Sequence, residues 1–272
     1  MYSGHQDWVA SFKDRPCPLN LNPVTLIPAF SSPPAAVLWD MDGTLVDTEP
    51  YWMRAEHELV ESFGGTWTHA DAMLLVGSGL LGSAAILQNR GVKLAAEAIV
   101  DLLTTRVQEQ LASAGVPWRP GAHELLTELH AAGMPMALVT MSEQRMARQI
   151  AGIVGFDAFT TIVSGDMVQL SKPHPESYLT AADELGVAPG HCVAIEDSLP
   201  GVAAAVASGA VVVAVPHMVP ILPSEHYTVL DTLSGTTLAW LSELYGSRRP
   251  ALPSPLGSTE VRPTTPKDAT RA

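Results

Sequence analysis

The sequence predicts an α/β fold in which a doubly wound parallel sheet carries a helical cap. Short aliphatic runs, each about the length of one strand, alternate with helical patterns over most of the 272 residues. Continuous apolar strands are typical of a parallel sheet that is buried on both faces and connected by helices. One long segment in the first half of the chain has only helical periodicity, which indicates an inserted helical unit.

The core of the fold is predicted to cover residues 35–48 and 115–245. The apolar runs place its strands at 36–39, 135–140, 160–163, 192–195 and 210–215. Two of the intervening helices are predicted at 123–132 and 176–185. They end at Gly133 and Gly186, because glycine commonly follows the last turn of a helix.

The helical insert covers residues 49–114 and is predicted to form the cap. Apolar residues recur there at helical spacing, first Trp52, Ala55, Leu59 and Phe63, then Ile99, Leu102, Leu103, Val107 and Leu111. Because the insert directly follows the first strand, it projects above the carboxyl edge of the sheet, where open α/β folds bind ligands. We expect it to act as a lid, with hinges at 46–49 and 115–120.

Both ends of the chain are predicted to lie outside the fold. Residues 1–34 form an irregular arm, because repeated prolines interrupt any helix or strand that begins there. Residues 246–272 are rich in Pro, Ser and Thr and contain few aliphatic side chains. Such a segment buries too little apolar surface to offset its ordering entropy, so we expect a disordered tail.

The composition limits the classes of partner. With 47% hydrophobic and 16% charged residues the chain is globular, and its apolar runs are too short for a membrane span. A formal net charge of −13 argues against nucleic acid, which proteins bind largely through Lys and Arg. Cys17 and Cys192 form no CxxC pair, which predicts neither a zinc site nor a disulfide framework. Since no apolar secretory signal is visible either, we expect a cytoplasmic protein.

Three carboxylates are predicted at strand ends. Asp40 and Asp42 follow the first strand directly, and Gly43 permits an abrupt turn out of the sheet. Two carboxylates at this spacing can converge on one point, where they repel each other unless a cation is present. Asp197 follows another apolar strand and supplies a further carboxylate. Because magnesium prefers hard oxygen ligands, the sequence predicts a Mg²⁺ site at this edge.

Donors for a phosphoryl group are predicted at the same edge. Thr140 closes the second strand, and Ser142 is predicted as the N-cap of the helix that follows, beside free backbone N–H groups. Lys172 lies before a helix in a loop that two prolines stiffen. Phosphoryl transfer needs charge stabilisation on the phosphate oxygens as well as a nucleophile, so these three residues are candidate phosphate ligands.

The ordered series resembles the four motifs of the haloacid dehalogenase superfamily. The motifs are Asp40-x-Asp42-Gly43-Thr44, then Thr140, then Lys172, then Glu196-Asp197, and the resemblance covers residues 36–220. The segment 47–50, Asp-Thr-Glu-Pro, and the helical insert are similar to the subgroup with a small helical cap. The segments 171–175 and 195–201 are similar to its sugar-phosphate phosphatases and β-phosphoglucomutases.

The resemblance implies a phosphatase acting on a small phosphorylated substrate, a sugar or polyol phosphate. Asp40 would attack phosphorus to form an aspartyl phosphate, and Asp42 would protonate the leaving oxygen and later activate water. Asp40, the backbone carbonyl of Asp42 and Asp197 would bind Mg²⁺, with Glu196 as a direct ligand or an outer partner. Thr140 and Lys172 would bind the phosphate oxygens.

Two alternatives use the same fold. A phosphosugar mutase needs a second phosphate site in the cap, and the stretch 75–82 contains no cation, so hydrolysis is preferred. A non-catalytic binding protein would be expected to have lost Asp40, Asp42 or Lys172, and all three are present. The substrate itself is not predicted; the candidate cap contacts are Glu49, Trp52, Arg54, Ser78 and Leu80.

Overall fold

A computed structural model describes residues 32–77 and 79–248 of the chain. The predicted arm over 1–31 and the predicted tail from 249 onward lie outside the described residues. The predicted start of the tail at residue 246 is wrong, because the last helix continues through Arg248. Tyr245 is buried in this helix, and the Arg248 guanidinium donates to the carbonyl of Tyr227 at 3.2 Å. These contacts hold the final turn against the core.

The sheet is parallel and doubly wound, as predicted. Six strands are found in the described residues, in the spatial order β3-β2-β1-β4-β5-β6. They are β1 (Ala36–Trp39), β2 (Met136–Val139), β3 (Thr161–Val163), β4 (Cys192–Glu196), β5 (Val211–Ala214) and β6 (Tyr227–Val229). The sequence did not predict β6, because its residues are only half-buried and form no continuous apolar run.

The helices are α1 (Glu49–Ser62), α2 (His69–Ala72), α3 (Leu80–Asn89), α4 (Ala96–Ala114), α5 (Ala122–Ala131), α6 (Gln144–Ile153), α7 (Glu176–Glu184), α8 (Leu199–Ser208) and α9 (Leu238–Arg248). Successive side chains of a strand point to opposite faces of the sheet. Val37 and Trp39 therefore pack with α5, α6 and α9, while Ala36 and Leu38 pack with α7 and α8 on the other face.

Helices α1 to α4 occupy the predicted insert from Glu49 to Ala114. The predicted apolar positions are buried where α1 and α3 pack against α4, with two exceptions. Phe63 is exposed because α1 ends at Ser62, so this side chain lies beyond the packed helix. Leu102 is exposed because it lies on the flank of α4, next to the buried stripe.

The two connections between insert and sheet run side by side. The amide of Asp47 donates to the carbonyl of Pro117 at 2.7 Å, and the amide of Arg119 donates to the carbonyl of Leu45 at 3.0 Å. Asp47, Pro117 and Arg119 fall in the segments predicted as hinges, and Leu45 lies one residue before the first of them. Among the described residues, no helix combines the length and apolarity needed to cross a membrane.

Candidate active site

The site forms where three neighbouring strands end. Asp40 follows β1, Thr140 follows β2 and Asp197 follows β4, and β1 lies between the other two strands. The strand order reverses here, and in open α/β sheets the crevice at such a reversal is where ligands bind. The predicted meeting of these three residues at one edge follows directly from the sheet order.

Gly43 brings the loop after β1 close to Asp197. Its φ of +87° lies in the left-handed region, and an added Cβ would lie 2.1 Å from the Asp197 carboxylate. Only glycine satisfies both conditions, since any side chain would be strained and would displace Asp197. The hydroxyl of Thr44 donates to the other oxygen of Asp197 at 3.3 Å, which fixes the orientation of that carboxylate.

Three buried carboxylates converge beneath this loop. Asp40, Glu196 and Asp197 each present an oxygen within 4.8 Å of the others. Burial, and next the charge of Glu196, raises the pKa of Asp40 to about 7. Burial, then Asp40 and Glu196, also raises the pKa of Asp197. Converging carboxylate oxygens are a hard, negatively charged donor set, so the cluster suits a hard divalent cation. Asp40 Oδ2 is in addition buried without a hydrogen-bond partner among the described residues.

Lys172 reaches into the same cluster from the loop before α7. Its ammonium group lies 2.7 Å from Asp40 Oδ1, 2.6 Å from Glu196 Oε1 and 3.1 Å from the Val139 carbonyl. Burial alone would lower the pKa of Lys172, but the two carboxylates outweigh it and raise that pKa. Lys172 is therefore a fixed positive charge beside Asp40, and its three N–H groups already have acceptors.

Tyr178 is a site residue that the sequence analysis missed. Its hydroxyl donates to Glu196 Oε1 at 2.8 Å, and Lys172 Nζ lies 5.0 Å from the centre of its ring. The other oxygen of Glu196 accepts from the backbone amide of Asp197 at 3.1 Å and from the Ser198 hydroxyl at 3.2 Å. Because both its oxygens have protein donors, Glu196 fits an outer partner of the metal ligands better than a direct ligand.

Asp42 is held by donors from three parts of the chain. Oδ2 accepts from Thr140 at 3.1 Å and from Ser142 at 2.7 Å. Oδ1 accepts from Trp52 Nε1 at 3.3 Å and from the Thr48 hydroxyl. The prediction that Ser142 caps α6 is wrong, because Glu143 occupies the N-cap position and the Ser142 hydroxyl turns to Asp42 instead. The end of β2, the residue before α1 and α1 itself thus meet at one carboxylate.

The insert lines part of the cleft above these groups. Of the predicted cap contacts, Glu49, Trp52 and Leu80 line it. Arg54 is exposed and does not line it, so it belongs to the solvated face of α1. Ser78 lies outside the described residues.

Glu56 and Ser83 also line the cleft and were missed by the sequence analysis. The spacing of Glu49, Trp52 and Glu56, at i, i+3 and i+7 of one helix, is the signal that places Glu56 on the same face.

Comparison with known proteins agrees with this geometry. The family description "haloacid dehalogenase-like hydrolase" matches residues 34–209. Hexitol phosphatase A of Escherichia coli is 36% identical over 183 residues, which cover 65% of this chain and 81% of that protein. A phosphorylated carbohydrates phosphatase of Thermotoga maritima is 31% identical over 183 residues, covering 64% and 81%.

A solved structure supports the same assignment. A variant of CbbY from Rhodobacter sphaeroides, in complex with xylulose-(1,5)bisphosphate, matches with a TM-score of 0.70 and 28% identity, covering 76% of this chain and 99% of that chain. The match to the family extends over more than half of the chain, and the order of the motifs and of the strands agrees with it. The named relatives are phosphatases, so the protein is an enzyme of the phosphatase type. The chain belongs to the haloacid dehalogenase-like hydrolases.

Proposed function

We propose that this protein is a cytoplasmic, magnesium-dependent phosphatase that hydrolyses a sugar or polyol phosphate through an aspartyl phosphate on Asp40. The observation that carries the proposal is the state of the Asp40 carboxylate. Lys172 holds Oδ1, while Oδ2 is buried at the floor of the cleft and has no partner in the described part of the chain. An oxygen that is fixed in position and free of hydrogen bonds suits a nucleophile. The names of the phosphatase relatives support the class of substrate.

The proposed reaction has two steps, transfer of the phosphoryl group to Asp40 and then to water. Asp40 Oδ2 attacks phosphorus, the ester P–O bond breaks, and the leaving oxygen takes a proton from Asp42. Water then attacks phosphorus and gives a proton to Asp42, the bond between Asp40 and phosphorus breaks, and inorganic phosphate leaves. Asp42 therefore serves first as acid and then as base, and both carboxyl groups return to their starting state.

The donor set fits Mg²⁺. Asp40 and Asp197 would hold the ion together with the backbone carbonyl of Asp42, and Glu196 would orient Lys172 from behind. When bound, the ion supplies positive charge that stabilises the negative oxygens of the phosphoryl group.

Thr140, Ser142 and Lys172 are the proposed phosphate ligands. In the structure the two hydroxyls donate to Asp42, and Lys172 donates to Asp40. Binding of a phosphate ester would exchange these bonds, turning Thr140, Ser142 and one N–H of Lys172 toward phosphate oxygens. Asp42 would then lose both donors to its Oδ2 and be free to turn toward the leaving oxygen. The same exchange would couple arrival of the substrate to readiness of the acid.

The two alternative functions are less well supported. A mutase must hold a second phosphate above the site, and Lys172 is the only cationic side chain that lines the cleft within residues 32–77 and 79–248. A purely binding protein would not require Asp40, Asp42 and Lys172 to converge, whereas here Lys172 contacts Asp40 directly.

Hydrolysis of p-nitrophenyl phosphate with and without Mg²⁺ tests the proposal. We expect release of p-nitrophenol that depends on added Mg²⁺ and is abolished by EDTA. Acid quenching during turnover of a ³²P-labelled substrate should trap label on the protein in an acid-stable, hydroxylamine-sensitive form, as expected of an acyl phosphate. Equal activity in EDTA would overturn the proposed metal dependence. Turnover with no trapped label under burst conditions would overturn the proposed intermediate.

A further inference from the structure

The ammonium group of Lys172 has no N–H left over for a phosphate oxygen. One N–H donates to Asp40 Oδ1 at 2.7 Å, one to Glu196 Oε1 at 2.6 Å and one to the Val139 carbonyl at 3.1 Å. The side chain is only 3% exposed, so the group is confined to the floor of the cleft. For Lys172 to bind a phosphate oxygen, one N–H must therefore leave its acceptor.

The position of the cleft decides which acceptors lose their bond. Asp40 lines the cleft together with Lys172, whereas Glu196 and Val139 are completely buried behind its wall. A small movement of the ammonium group toward the cleft therefore keeps the contact with Asp40 and lengthens the other two contacts. The Glu196 contact is the costlier one to lose, because a buried carboxylate oxygen without a hydrogen bond is less stable than a buried neutral carbonyl without one.

Tyr178 donates to the same oxygen of Glu196. Its hydroxyl lies 2.8 Å from Oε1, and both residues are 0% exposed, so bulk solvent does not reach this contact. A phenol hydroxyl is protonated at neutral pH and remains a donor. Glu196 Oε1 therefore keeps one hydrogen bond after the N–H of Lys172 has left it.

Glu196 cannot turn to a different donor instead. Oε2 accepts from the backbone amide of Asp197 at 3.1 Å and from the Ser198 hydroxyl at 3.2 Å, which fixes the plane of the carboxylate. In the described part of the chain, Lys172 and Tyr178 are the only hydrogen-bond donors to Oε1. Without the Tyr178 hydroxyl, departure of Lys172 would leave a buried carboxylate oxygen with no partner.

We propose that Tyr178 is a positioning residue for phosphate binding, because its hydroxyl holds Glu196 Oε1 while one N–H of Lys172 moves from this oxygen to the phosphoryl group of the substrate. The inference rests on the proposed phosphatase function and deepens it, since it explains how a lysine whose N–H groups are all occupied becomes available. Tyr178 itself touches no substrate. Removing its hydroxyl should weaken phosphate binding and leave the chemistry of Asp40 and Asp42 intact.

Tyr178→Phe tests the role of the hydroxyl alone. The variant keeps the ring, whose centre lies 5.0 Å from Lys172 Nζ, and in the absence of ligand Lys172 still donates to Glu196. The Tm of the full chain in MgCl₂ should therefore stay within about 5 °C of wild type. Calorimetric titration with inorganic phosphate should give a Kd about tenfold higher than for wild type.

Kinetics with p-nitrophenyl phosphate provide a second readout. The contact between Lys172 and the phosphoryl group is present in the bound substrate as well as in the transition state. Tyr178→Phe should therefore raise KM about tenfold and leave kcat within about twofold. Tyr227→Phe is the matched control, since it removes an exposed hydroxyl that donates to the Leu222 carbonyl at 2.7 Å, and it should change neither constant.

A double-mutant cycle tests whether Tyr178 acts through Glu196. Glu196→Gln replaces the buried carboxylate by a neutral amide, so less free energy depends on a donor at this position. In that background, Tyr178→Phe should raise the Kd for inorganic phosphate by no more than about threefold. A tenfold rise in both backgrounds would show that the hydroxyl acts independently of Glu196 and would overturn the inference.

The remaining outcomes separate this inference from the proposed function. If folded Tyr178→Phe binds inorganic phosphate as tightly as wild type, the inference fails and the phosphatase function stands. A lower kcat with unchanged KM, or a Tm lowered by more than about 10 °C, would assign the hydroxyl to the chemistry or to the fold and would also overturn it. If wild type binds phosphate but hydrolyses no ester with Mg²⁺ present, only the proposed function fails, because calorimetry detects the exchange of bonds without turnover.

Discussion

Asp40 and Asp42 are two residues apart in the sequence, yet their side chains have different surroundings. Asp40 contacts a fixed ammonium group and other carboxylates, and one of its oxygens is unpaired among the described residues. Asp42 accepts hydrogen bonds only from neutral hydroxyl and indole groups. The first arrangement suits attack on phosphorus, and the second suits a group that can gain and lose a proton as its partners turn away.

Replacing each aspartate by asparagine is therefore expected to reduce the rate of ester hydrolysis in a different way. Asp40→Asn removes the nucleophile and a proposed metal ligand, so hydrolysis of every ester should disappear. Asp42→Asn removes proton transfer, a contribution of about 100-fold to 10,000-fold. Its loss should be smaller with p-nitrophenyl phosphate, whose leaving group needs no proton, than with an alkyl sugar phosphate. Steady-state rates on both esters measure the difference.

The time course adds an independent check on Asp42. Because removal of the phosphoryl group from Asp40 also needs a base, Asp42→Asn should release a burst of p-nitrophenol and then stall as a phosphoenzyme. Equal loss on both esters, with no covalent species detected by intact-protein mass spectrometry, would refute the acid and base role of Asp42.

Glu56 is expected to make stability depend on pH. The pKa of Glu56 is about 8 in the folded protein, against 4.5 for an unperturbed glutamate, with burial as the main cause and Glu49 as the charged group facing it. Between these values the folded state keeps a proton that the unfolded chain loses. This group alone should therefore lower the free energy of unfolding by about 1.4 kcal/mol per pH unit as pH rises.

Thermal melts of Glu56→Gln and wild type between pH 4.5 and 8 test this linkage. The amide does not titrate, so the variant should gain in Tm relative to wild type as pH rises through this window. Glu58→Gln, which is exposed, should follow wild type throughout. A Tm difference between Glu56→Gln and wild type that is constant with pH would show that Glu56 has an ordinary pKa in the folded protein.

Site residues were predictable from the sequence where they directly follow a buried strand. Asp40, Thr140 and Asp197 each follow an apolar run, so their convergence requires only the sheet order. Tyr178 could not be predicted as a partner of Glu196, because it lies on a helix whose packing against the sheet brings them together. The spacing of Glu56 from Glu49 and Trp52 places it on the same face of α1. It was not predicted as a site residue because a glutamate on a helix is ordinarily solvated.

At the level of elements, Arg145 joins the insert to the core. From the start of α6, one guanidinium nitrogen donates to both the carbonyl and the carboxylate of Asp101 on α4, at 2.8 and 2.9 Å. The other donates to Thr105 at 2.9 Å and to Gln108 at 3.0 Å. We propose that residues 49–114 form a cap domain that opens on its paired hinges, and these bonds would break when it does.

Arg145→Ala is accordingly expected to shift the cap toward an open position. The groups are partly exposed, so the shift in the opening equilibrium should be no more than about fivefold. Pulsed EPR distances between spin labels on exposed positions of α3 and α7 would detect a larger population at long distance. Arg106→Ala is the matched control, since Arg106 pairs with Glu109 within α4. Identical distance distributions for wild type and Arg145→Ala would contradict the proposal that the bonds of Arg145 hold the cap against the core.

The elements that the sequence did not reveal share a physical cause. α8 is apolar almost all round, so no stripe distinguishes it from a buried strand. β6 lies at the sheet edge and is only half-buried, and α9 ends in polar residues that resemble the tail. α6, by contrast, was expected as the helix that follows Ser142, and Met146, Ala147 and Ile150 form its buried stripe. Edge elements and uniformly apolar helices therefore limited the prediction.

For the whole molecule, the buried carboxylates affect stability as well as chemistry. Asp40, Glu196 and Asp197 each present an oxygen within 4.8 Å of the others. Lys172 is the ammonium group that contacts Asp40 and Glu196. Three carboxylates against one ammonium group leave uncompensated negative charge in a buried place. A bound divalent cation would neutralise it and bind only the folded state. Metal binding should therefore stabilise the fold as a whole.

Mg²⁺ is expected to raise the Tm of the full chain in the absence of any substrate. A ligand at 100 times its Kd adds about 2.7 kcal/mol to the free energy of unfolding. For a fold of this size that corresponds to a rise in Tm of about 5–10 °C, measured by calorimetry in MgCl₂ against EDTA.

Asp197→Asn removes a proposed ligand and should abolish most of the rise. It should also relieve repulsion between the carboxylates and so raise the Tm in EDTA. Asp183→Asn, at an exposed position of α7, should retain the full response. A rise of equal size in Asp197→Asn and Asp183→Asn would place the metal elsewhere, because a cation bound at this cluster cannot be indifferent to the loss of one of its carboxylates.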